Sequence, residues 1–207
     1  MTVEVLDGPI GGMTFAARAN ALAQSERDLY RSILEQFVEG APPPHAPATG
    51  DAAGLIEADL IQTDDNDRVA VAYPFSSGPT RFRVTMNDGR FYYAMCAFDA
   101  LGIPYMLNER AEVQALEPDS GRVVGVSVVP GAEPTWTPSE AVAVAAFADG
   151  CSLAQSVCPH INLFASQHAA TGYLDAATAH GNVLSIFDAT AAGRWLFGDL
   201  LSSLGVR

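Results

Sequence analysis

The sequence is poor in basic residues and has no long apolar run. Among its 207 residues, 11 are Lys or Arg and 24 are Asp or Glu, which gives a formal net charge of −13. A surface of this sign repels nucleic acids and anionic membranes. No stretch approaches the roughly 18 apolar residues of a membrane-spanning helix, and the first residues lack a basic segment followed by an apolar one. We therefore expect a cytoplasmic protein with neither a nucleic-acid partner nor a membrane partner.

Cysteine and histidine are scarce, and their spacing matches no common metal or redox motif. Cys96, Cys151 and Cys158 are an odd number of cysteines without a CxxC pair, which favours free thiols over a disulfide framework. The four histidines form neither HExxH nor another paired ligand pattern, so a structural or hydrolytic zinc site is not indicated. The chain also lacks GxSxG, a P-loop and GxGxxG.

The first part of the chain predicts helices followed by a hairpin. The segment SERDLYRSILEQFVEG has a capping box in Ser25 and Asp28, an apolar stripe and a stop at Gly40. The stripe consists of Leu29, Ile33, Leu34, Phe37 and Val38. The proline-rich residues 41–50 predict a loop, after which a short helix precedes a hairpin that turns at Asp64–Asp67.

A helix, a second helix and a hairpin together resemble a winged-helix unit. The functional interpretation of such a unit is DNA binding, which needs basic side chains on the second helix. That helix instead offers Glu57 and Asp59. We therefore expect a structural role for this unit.

From Thr80 onwards the pattern alternates between strands and helices. Residues 80–94 predict a hairpin with its turn at NDG, and the following helix is expected to end at Gly102 and Pro104. Later elements are a hairpin at 111–130, a strand within 137–147, a helix near 171–180, a strand at 182–186 and a helix around 188–203.

This order of elements predicts an α+β protein. We expect an N-terminal winged-helix-like helical unit packed on a mixed, mainly antiparallel β-sheet core with flanking helices. The predicted domains are 1–79 for the helical unit and 80–207 for the catalytic part.

A single carboxylate stands in the apolar stretch YAMCAFDALGIPYML. An ionised carboxylate in such surroundings is costly unless it is paired, hydrogen-bonded or protonated, so Asp99 should cap a helix or perform chemistry. Cys96 and Asp99 are three residues apart, and on a helix both side chains would lie on one face. The alternative is a helix-capping Asp beside a Cys that packs as a small apolar side chain, and the pair alone leaves both interpretations open.

The segments FYYAMCAFDALGIPYML and SVCPHINLFAS together resemble the alkylmercury lyase family. Its signature is a Cys-x-x-Asp on a helix and a further Cys before a strand that ends in Phe-Ala-Ser. The resemblance covers roughly residues 25 to 200 and implies that Cys96, Asp99 and Cys158 are a catalytic triad that also holds mercury. The chain departs from the best-known members at Met95, where they have Trp, at Pro159, where they have Cys, and at Leu116, near a structural Cys.

The resemblance implies protonolytic cleavage of a carbon–mercury bond, which releases a hydrocarbon and Hg(II). Thiolates suit a soft metal, and a carboxyl in an apolar pocket can carry a proton near neutral pH. Mercury is then substrate and product, and no resident cofactor is expected. The implied partners are an organomercurial carried by small thiols and a mercuric reductase that accepts Hg(II), as in mercury resistance and detoxification.

Two other classes of function stay open at the sequence level. The protein could be a lyase-like homologue that binds a soft metal ion or acts on another substrate. Alternatively, the N-terminal unit could make the protein a metal-responsive regulator. His160 either orients Cys158 or faces solvent. Cys151 either relays mercury inward from solvent or is a partly buried thiol with no role in the reaction. Tyr93 and Phe98 are expected to wall the pocket.

Overall fold

The computed structural model describes residues 14–40, 50–148, 152–177 and 179–205. Helices occupy α1 Phe15–Asn20, α2 Gln24–Val38, α3 Gly50–Glu57, α4 Ala97–Leu107, α5 Leu153–Ser156, α6 Gln167–Ala176, α7 Ile186–Phe197 and α8 Leu200–Ser203. Strands occupy β1 Ile61–Thr63, β2 Val69–Ala72, β3 Phe75–Ser76, β4 Phe82–Met86, β5 Phe91–Ala94, β6 Ala111–Leu116, β7 Val123–Val128, β8 Thr135–Thr137, β9 Val142–Phe147, β10 Ile161–Phe164 and β11 His180–Ser185. Within these ranges, no helix is both long enough and apolar enough to cross a membrane.

The strands form two antiparallel sheets, which confirms the predicted α+β class. The larger sheet has the order β1-β2-β3-β5-β4-β6-β7-β8, and the smaller one has the order β10-β9-β11. Alternate residues of β6 and β7 are buried, as expected for strands with one face on the core. The predicted boundary between 79 and 80 stays a prediction. Hydrogen bonds between β3 and β5 run across it, pairing Phe75 with Ala94.

Helix α2 forms as its apolar stripe predicts but begins differently. Tyr30, Ile33, Leu34 and Phe37 are buried, and Gly40 ends the helix at a φ of 71°. The cap is not the predicted pair of Ser25 and Asp28. The Glu26 side chain instead accepts the Ala23 backbone N–H at 2.7 Å, so the helix begins before Ser25.

Helix α4 is the central buried helix, and it continues through the two residues expected to end it. Gly102 permits close packing against α7, because a Cβ there would lie 2.6 Å from the Phe197 ring and 2.8 Å from the Gly193 carbonyl oxygen. Pro104 lies inside the helix, which ends at Asn108 with a left-handed φ of 51°. Tertiary packing of two helices at a pair of glycines therefore overrides the local stop signal.

The C-terminal helices also differ in their bounds from the prediction. Helix α6 is Gln167–Ala176, earlier than the predicted 171–180, because Ser166 caps its start by accepting the Ala169 N–H. The last predicted helix is two helices, α7 and α8, separated at Gly198 and Asp199.

Candidate active site

The Cys-x-x-Asp pair lies where β5 passes into α4. Cys96 is the N-cap residue with extended backbone, φ −148° and ψ −179°, and Asp99 lies in the first turn. The prediction that both residues are inside the helix is therefore wrong for Cys96. The pair still meets, because N-cap and third helical positions adjoin. The positive end of the helix dipole also favours negative charge at this place.

Cys158 reaches the same place from a distant part of the chain. It begins a short 3₁₀ turn, Cys158–His160, between α5 and β10. The segment is anchored at its start by Asp59, whose carboxylate accepts the Leu153 N–H at 2.6 Å. At its end, β10 pairs with β9, with Ile161 opposite Ala145.

The three predicted site residues lie together in the interior. One ligand atom from each of Cys96, Asp99 and Cys158 lies within 4.8 Å of the others. Cys158 Sγ is 3.9 Å from Asp99 Oδ2, and both cysteines are free thiols. The exposed fractions of Cys96, Asp99 and Cys158 are 3%, 3% and 5%. Two soft sulfur ligands and one carboxylate in a buried site are suited to holding a soft metal ion and moving one proton.

Burial governs the protonation of these groups. It raises the pKa of Asp99 from 3.8 to about 7, although hydrogen bonds from Cys96 and Cys158 partly oppose the increase. Burial, the hydrogen bond to Cys158 and the Asp99 charge raise the pKa of Cys96 well above its ordinary value. The hydrogen bond with Cys96 lowers the pKa of Cys158, but burial and the Asp99 charge outweigh it, so the net shift is upward. Asp99 can therefore gain and lose a proton near neutral pH.

A small cavity of about 20 Å³ adjoins the three residues. It is lined by Phe15, Tyr73, Cys96, Phe98, Asp99, Leu153, Val157, Cys158, Ile161 and Leu196. Phe98 therefore lines the pocket as predicted, whereas Tyr93 does not, and its ring packs edge-on against Phe91. The aromatic walls that sequence reasoning missed are Phe15 and Tyr73, whose ring centroids are 5.1 Å apart.

Of the two aromatic residues that the sequence did not predict, Tyr73 is the one that contacts a cysteine of the cluster. Its hydroxyl oxygen lies 3.8 Å from Cys158 Sγ, within hydrogen-bond range for sulfur. Its backbone carbonyl accepts the Tyr30 hydroxyl at 2.8 Å, and its N–H donates to Leu60 at 3.2 Å. No sequence signal marks it, because it lies 85 residues before Cys158 in the unit predicted to be structural.

The other residues that the sequence analysis considered lie away from the cluster or outside the described residues. His160 Nδ1 is 3.1 Å from the hydroxyl oxygen of Tyr173, so the His160 ring forms a hydrogen bond with a residue of α6. Leu116 is 46% exposed on β6. Cys151 falls outside the described residues, and its role stays a prediction.

The sequence profile of the alkylmercury lyase family matches residues 75–198, which is more than half of the chain and includes all three clustered residues. The chain belongs to the alkylmercury lyase family. It is an enzyme of this kind, which confirms the predicted resemblance. A solved structure of similar fold is the mercury-bound form of MerB2, with a TM-score of 0.72 and 18% sequence identity over 90% of this chain and 95% of that one. No curated protein matches the sequence.

The family match covers both segments of the chain that carry the three clustered residues. The family match begins at Phe75 and ends at Gly198, so it includes the β5–α4 junction and the 3₁₀ turn before β10. Tyr73 and Phe15 lie before the matched residues. Helix α1 and the loop between β2 and β3, which supply them, therefore complete the cavity from outside the family match.

Proposed function

We propose that this alkylmercury lyase cleaves carbon–mercury bonds by protonolysis, with Cys96 and Cys158 as thiolate ligands and Asp99 as proton carrier. The observation that supports the proposal is the buried cluster of two free thiols and a carboxyl, all within 4.8 Å. Two free thiols and a carboxyl whose pKa is raised towards neutrality are the groups that this chemistry needs.

The first step is exchange of thiols on mercury. One cysteine displaces the small carrier thiol from R–Hg–S, forms a new sulfur–mercury bond, and its proton leaves on the departing thiol. Thiolates are the protein ligands that best match a soft, polarisable metal ion. The burial of both cysteines removes competing water from the metal.

The second step moves one proton to carbon. The remaining thiol gives its proton to the Asp99 carboxylate and binds mercury, which weakens the carbon–mercury bond. Protonated Asp99 then delivers that proton to the carbon, which keeps the electron pair of the broken bond and leaves as the hydrocarbon R–H. Asp99 ends ionised, and Hg(II) is held by Cys96 and Cys158. A pKa near 7 suits Asp99 to both halves of this transfer.

The cellular setting that fits this chemistry is cytoplasmic detoxification of organomercurials. Small thiols would deliver the substrate, and a mercuric reductase would accept Hg(II). The acidic chain, with a net charge of −13, supports a role without nucleic acid.

The deciding experiment is incubation of the purified protein with methylmercury or phenylmercury and excess small thiol. We expect methane or benzene in the headspace, in amounts that follow the protein concentration. The matched control is the double variant Cys96→Ser/Cys158→Ser, which keeps Asp99. Tight Hg(II) binding without hydrocarbon release would favour the alternative function, a soft-metal binding protein.

A further inference from the structure

The carbonyl group of Pro159, the residue directly after Cys158, has two side-chain donors. Asn162 Nδ2 lies 2.7 Å from the Pro159 carbonyl oxygen, and the Tyr173 hydroxyl oxygen lies 3.4 Å from it. Asn162 is 3% exposed and belongs to β10, whose four residues are all buried. A buried amide needs a hydrogen-bond partner, and this one finds it in the turn that carries Cys158.

The other carbonyl groups of this turn have backbone partners. The Val157 carbonyl accepts the His160 N–H at 2.9 Å, and the Cys158 carbonyl accepts the Ile161 N–H. Among the described residues, no backbone N–H donates to the Pro159 carbonyl. Side chains therefore supply the hydrogen bonds that the backbone does not.

Holding the Pro159 carbonyl also fixes the main chain at Cys158. The proline ring locks its own φ at about −65° and restricts the backbone of the residue before it. The peptide bonds are planar, so the remaining freedom between the turn and β10 is the ψ of Pro159, which sets where its carbonyl points. A hydrogen bond on that carbonyl removes this freedom.

The Tyr173 hydroxyl attaches the same turn to α6. It lies 3.4 Å from the Pro159 carbonyl oxygen and 3.1 Å from His160 Nδ1. Both contacts join α6 to residues that directly follow Cys158. The longer distance to the Pro159 oxygen makes Tyr173 a weaker donor to it than Asn162.

We propose that Asn162 and Tyr173 are positioning residues for Cys158, with Asn162 the stronger of the two. By holding the Pro159 carbonyl they fix the turn, so that the Cys158 sulfur stays within 4.8 Å of the other two ligand atoms of the cluster. The effect on cleavage rests on the proposed function, whereas capture of Hg(II) by the two thiols needs no turnover.

The test is the affinity of Asn162→Leu for Hg(II). It is measured by competition with excess small thiol and followed by the ultraviolet absorbance of the mercury–thiolate bonds, with Cys158→Ser as the lower limit. Leu has nearly the shape of Asn but no donor, so the Pro159 carbonyl keeps only its weaker partner. Groups that hold a metal ligand in place typically contribute about 10- to 100-fold to metal affinity or activity, and we expect a loss of that size in Hg(II) affinity. Single-turnover cleavage at saturating substrate should slow by a similar factor.

The matched control is Thr190→Val. The Thr190 hydroxyl belongs to a residue that is 2% exposed, and it donates to the Ile186 carbonyl at 2.8 Å within α7, outside the cavity lining. Each variant loses one buried hydrogen bond to a main-chain carbonyl, so both should unfold at lower urea concentration. Only Asn162→Leu should bind Hg(II) more weakly. Equal Hg(II) affinities in the two variants would overturn the proposal and leave Asn162 as a structural group.

Tyr173→Phe provides the answer if Asn162→Leu does not fold. Its Hg(II) affinity should fall below that of Tyr92→Phe, a control in which the lost hydroxyl donates to the Val38 carbonyl at 2.9 Å, away from the turn. Equal affinities in these two variants would refute the positioning roles.

Failure of the proposed function is distinguishable from failure of this proposal. Absence of hydrocarbon release by the wild type would refute the proposed function, while the competition for Hg(II) still decides the roles of Asn162 and Tyr173. A wild-type affinity no higher than that of Cys158→Ser would overturn the positioning proposal, because Cys158 would then hold no mercury.

Discussion

Asp99 Oδ2 lies 3.9 Å from Cys158 Sγ, although 59 residues separate them in sequence. This distance joins the start of α4 to the turn before β10 and makes a path for one proton between a carboxyl and a thiol. The sulfur of Cys96 completes the group within 4.8 Å. The site therefore exists only in the folded chain, and each of its groups can be tested separately.

Asp99→Asn should separate metal binding from cleavage. The amide is nearly isosteric with the carboxyl, so both thiols remain to hold Hg(II), but the amide cannot carry the proton to carbon. We expect single-turnover cleavage to fall by about 10²- to 10⁴-fold with Hg(II) affinity retained. Near-normal cleavage would eliminate the proton-carrier role, and circular dichroism of the variant checks that its fold is intact.

Cys96→Ser and Cys158→Ser should each abolish cleavage. A hydroxyl is a hard and weakly acidic ligand that cannot replace thiolate on mercury. Headspace detection of hydrocarbon measures the loss, and Cys151→Ser is the matched control, expected to keep most activity. Complete loss in Cys151→Ser would mean that the wrong pair of thiols has been assigned.

The stability of the ligand-free protein should depend on the protonation of Asp99. Its pKa is raised from 3.8 to about 7, so the folded state holds the proton that the unfolded chain has lost between these values. The free-energy cost of burying ionised Asp99 is therefore absent below about pH 4, grows as the pH rises, and is complete above about pH 7. Its size is a few kcal/mol, at about 1.4 kcal/mol per pKa unit.

Urea unfolding from pH 4 to pH 8 measures this dependence. Asp99→Asn has no charge to bury, so it should be more stable than the wild type at neutral pH, with the difference shrinking towards pH 4. A constant difference across the range would contradict the shifted pKa.

Asp59→Ala should loosen the segment that carries Cys158. The variant loses the acceptor of the Leu153 N–H, which we expect to cost about 1–3 kcal/mol of unfolding free energy and to slow cleavage. Asp59 has a positive φ of 54°, so Asp67→Ala, at an exposed residue with φ 58°, controls for backbone strain alone. Asp59→Asn keeps an acceptor oxygen and should restore both properties, and failure to restore them would exclude the hydrogen bond as the cause.

Phe15→Leu should widen access to the site. The cavity of about 20 Å³ has room for roughly one water, so a substrate enters only if a lining side chain moves. Phe15 stacks on Phe197 with ring centroids 4.5 Å apart. We expect the ratio of phenylmercury to methylmercury turnover to rise, at a stability cost of about 1–2 kcal/mol.

The control for this change is Phe37→Leu. Phe37 stacks on Phe75 in the same core but does not line the cavity. If both variants change the substrate ratio equally, general softening of the core, and not Phe15, controls access.

Periodicity and turn residues predicted most elements correctly, because these signals act within a few residues. The apolar stripe of α2, the turn at Gly89 and the hairpin of β6 and β7 are examples. Local stop signals failed at Gly102, where the gain from packing α4 against α7 exceeds the local preference. The order of Cys-x-x-Asp and a later Cys predicted the site only through resemblance to a family.

The sequence alone determined the α+β class, the acidic character and the proximity of Cys96 and Asp99. Two residues that are three positions apart at the start of a helix lie side by side whatever surrounds them. The tertiary structure decided the rest. It brought Cys158 to the pair, placed Asp59 on the turn that carries it and aimed Tyr73 at its sulfur. It also raised the pKa of Asp99, because the shift comes from burial, and burial is a property of the packed chain that no short segment possesses.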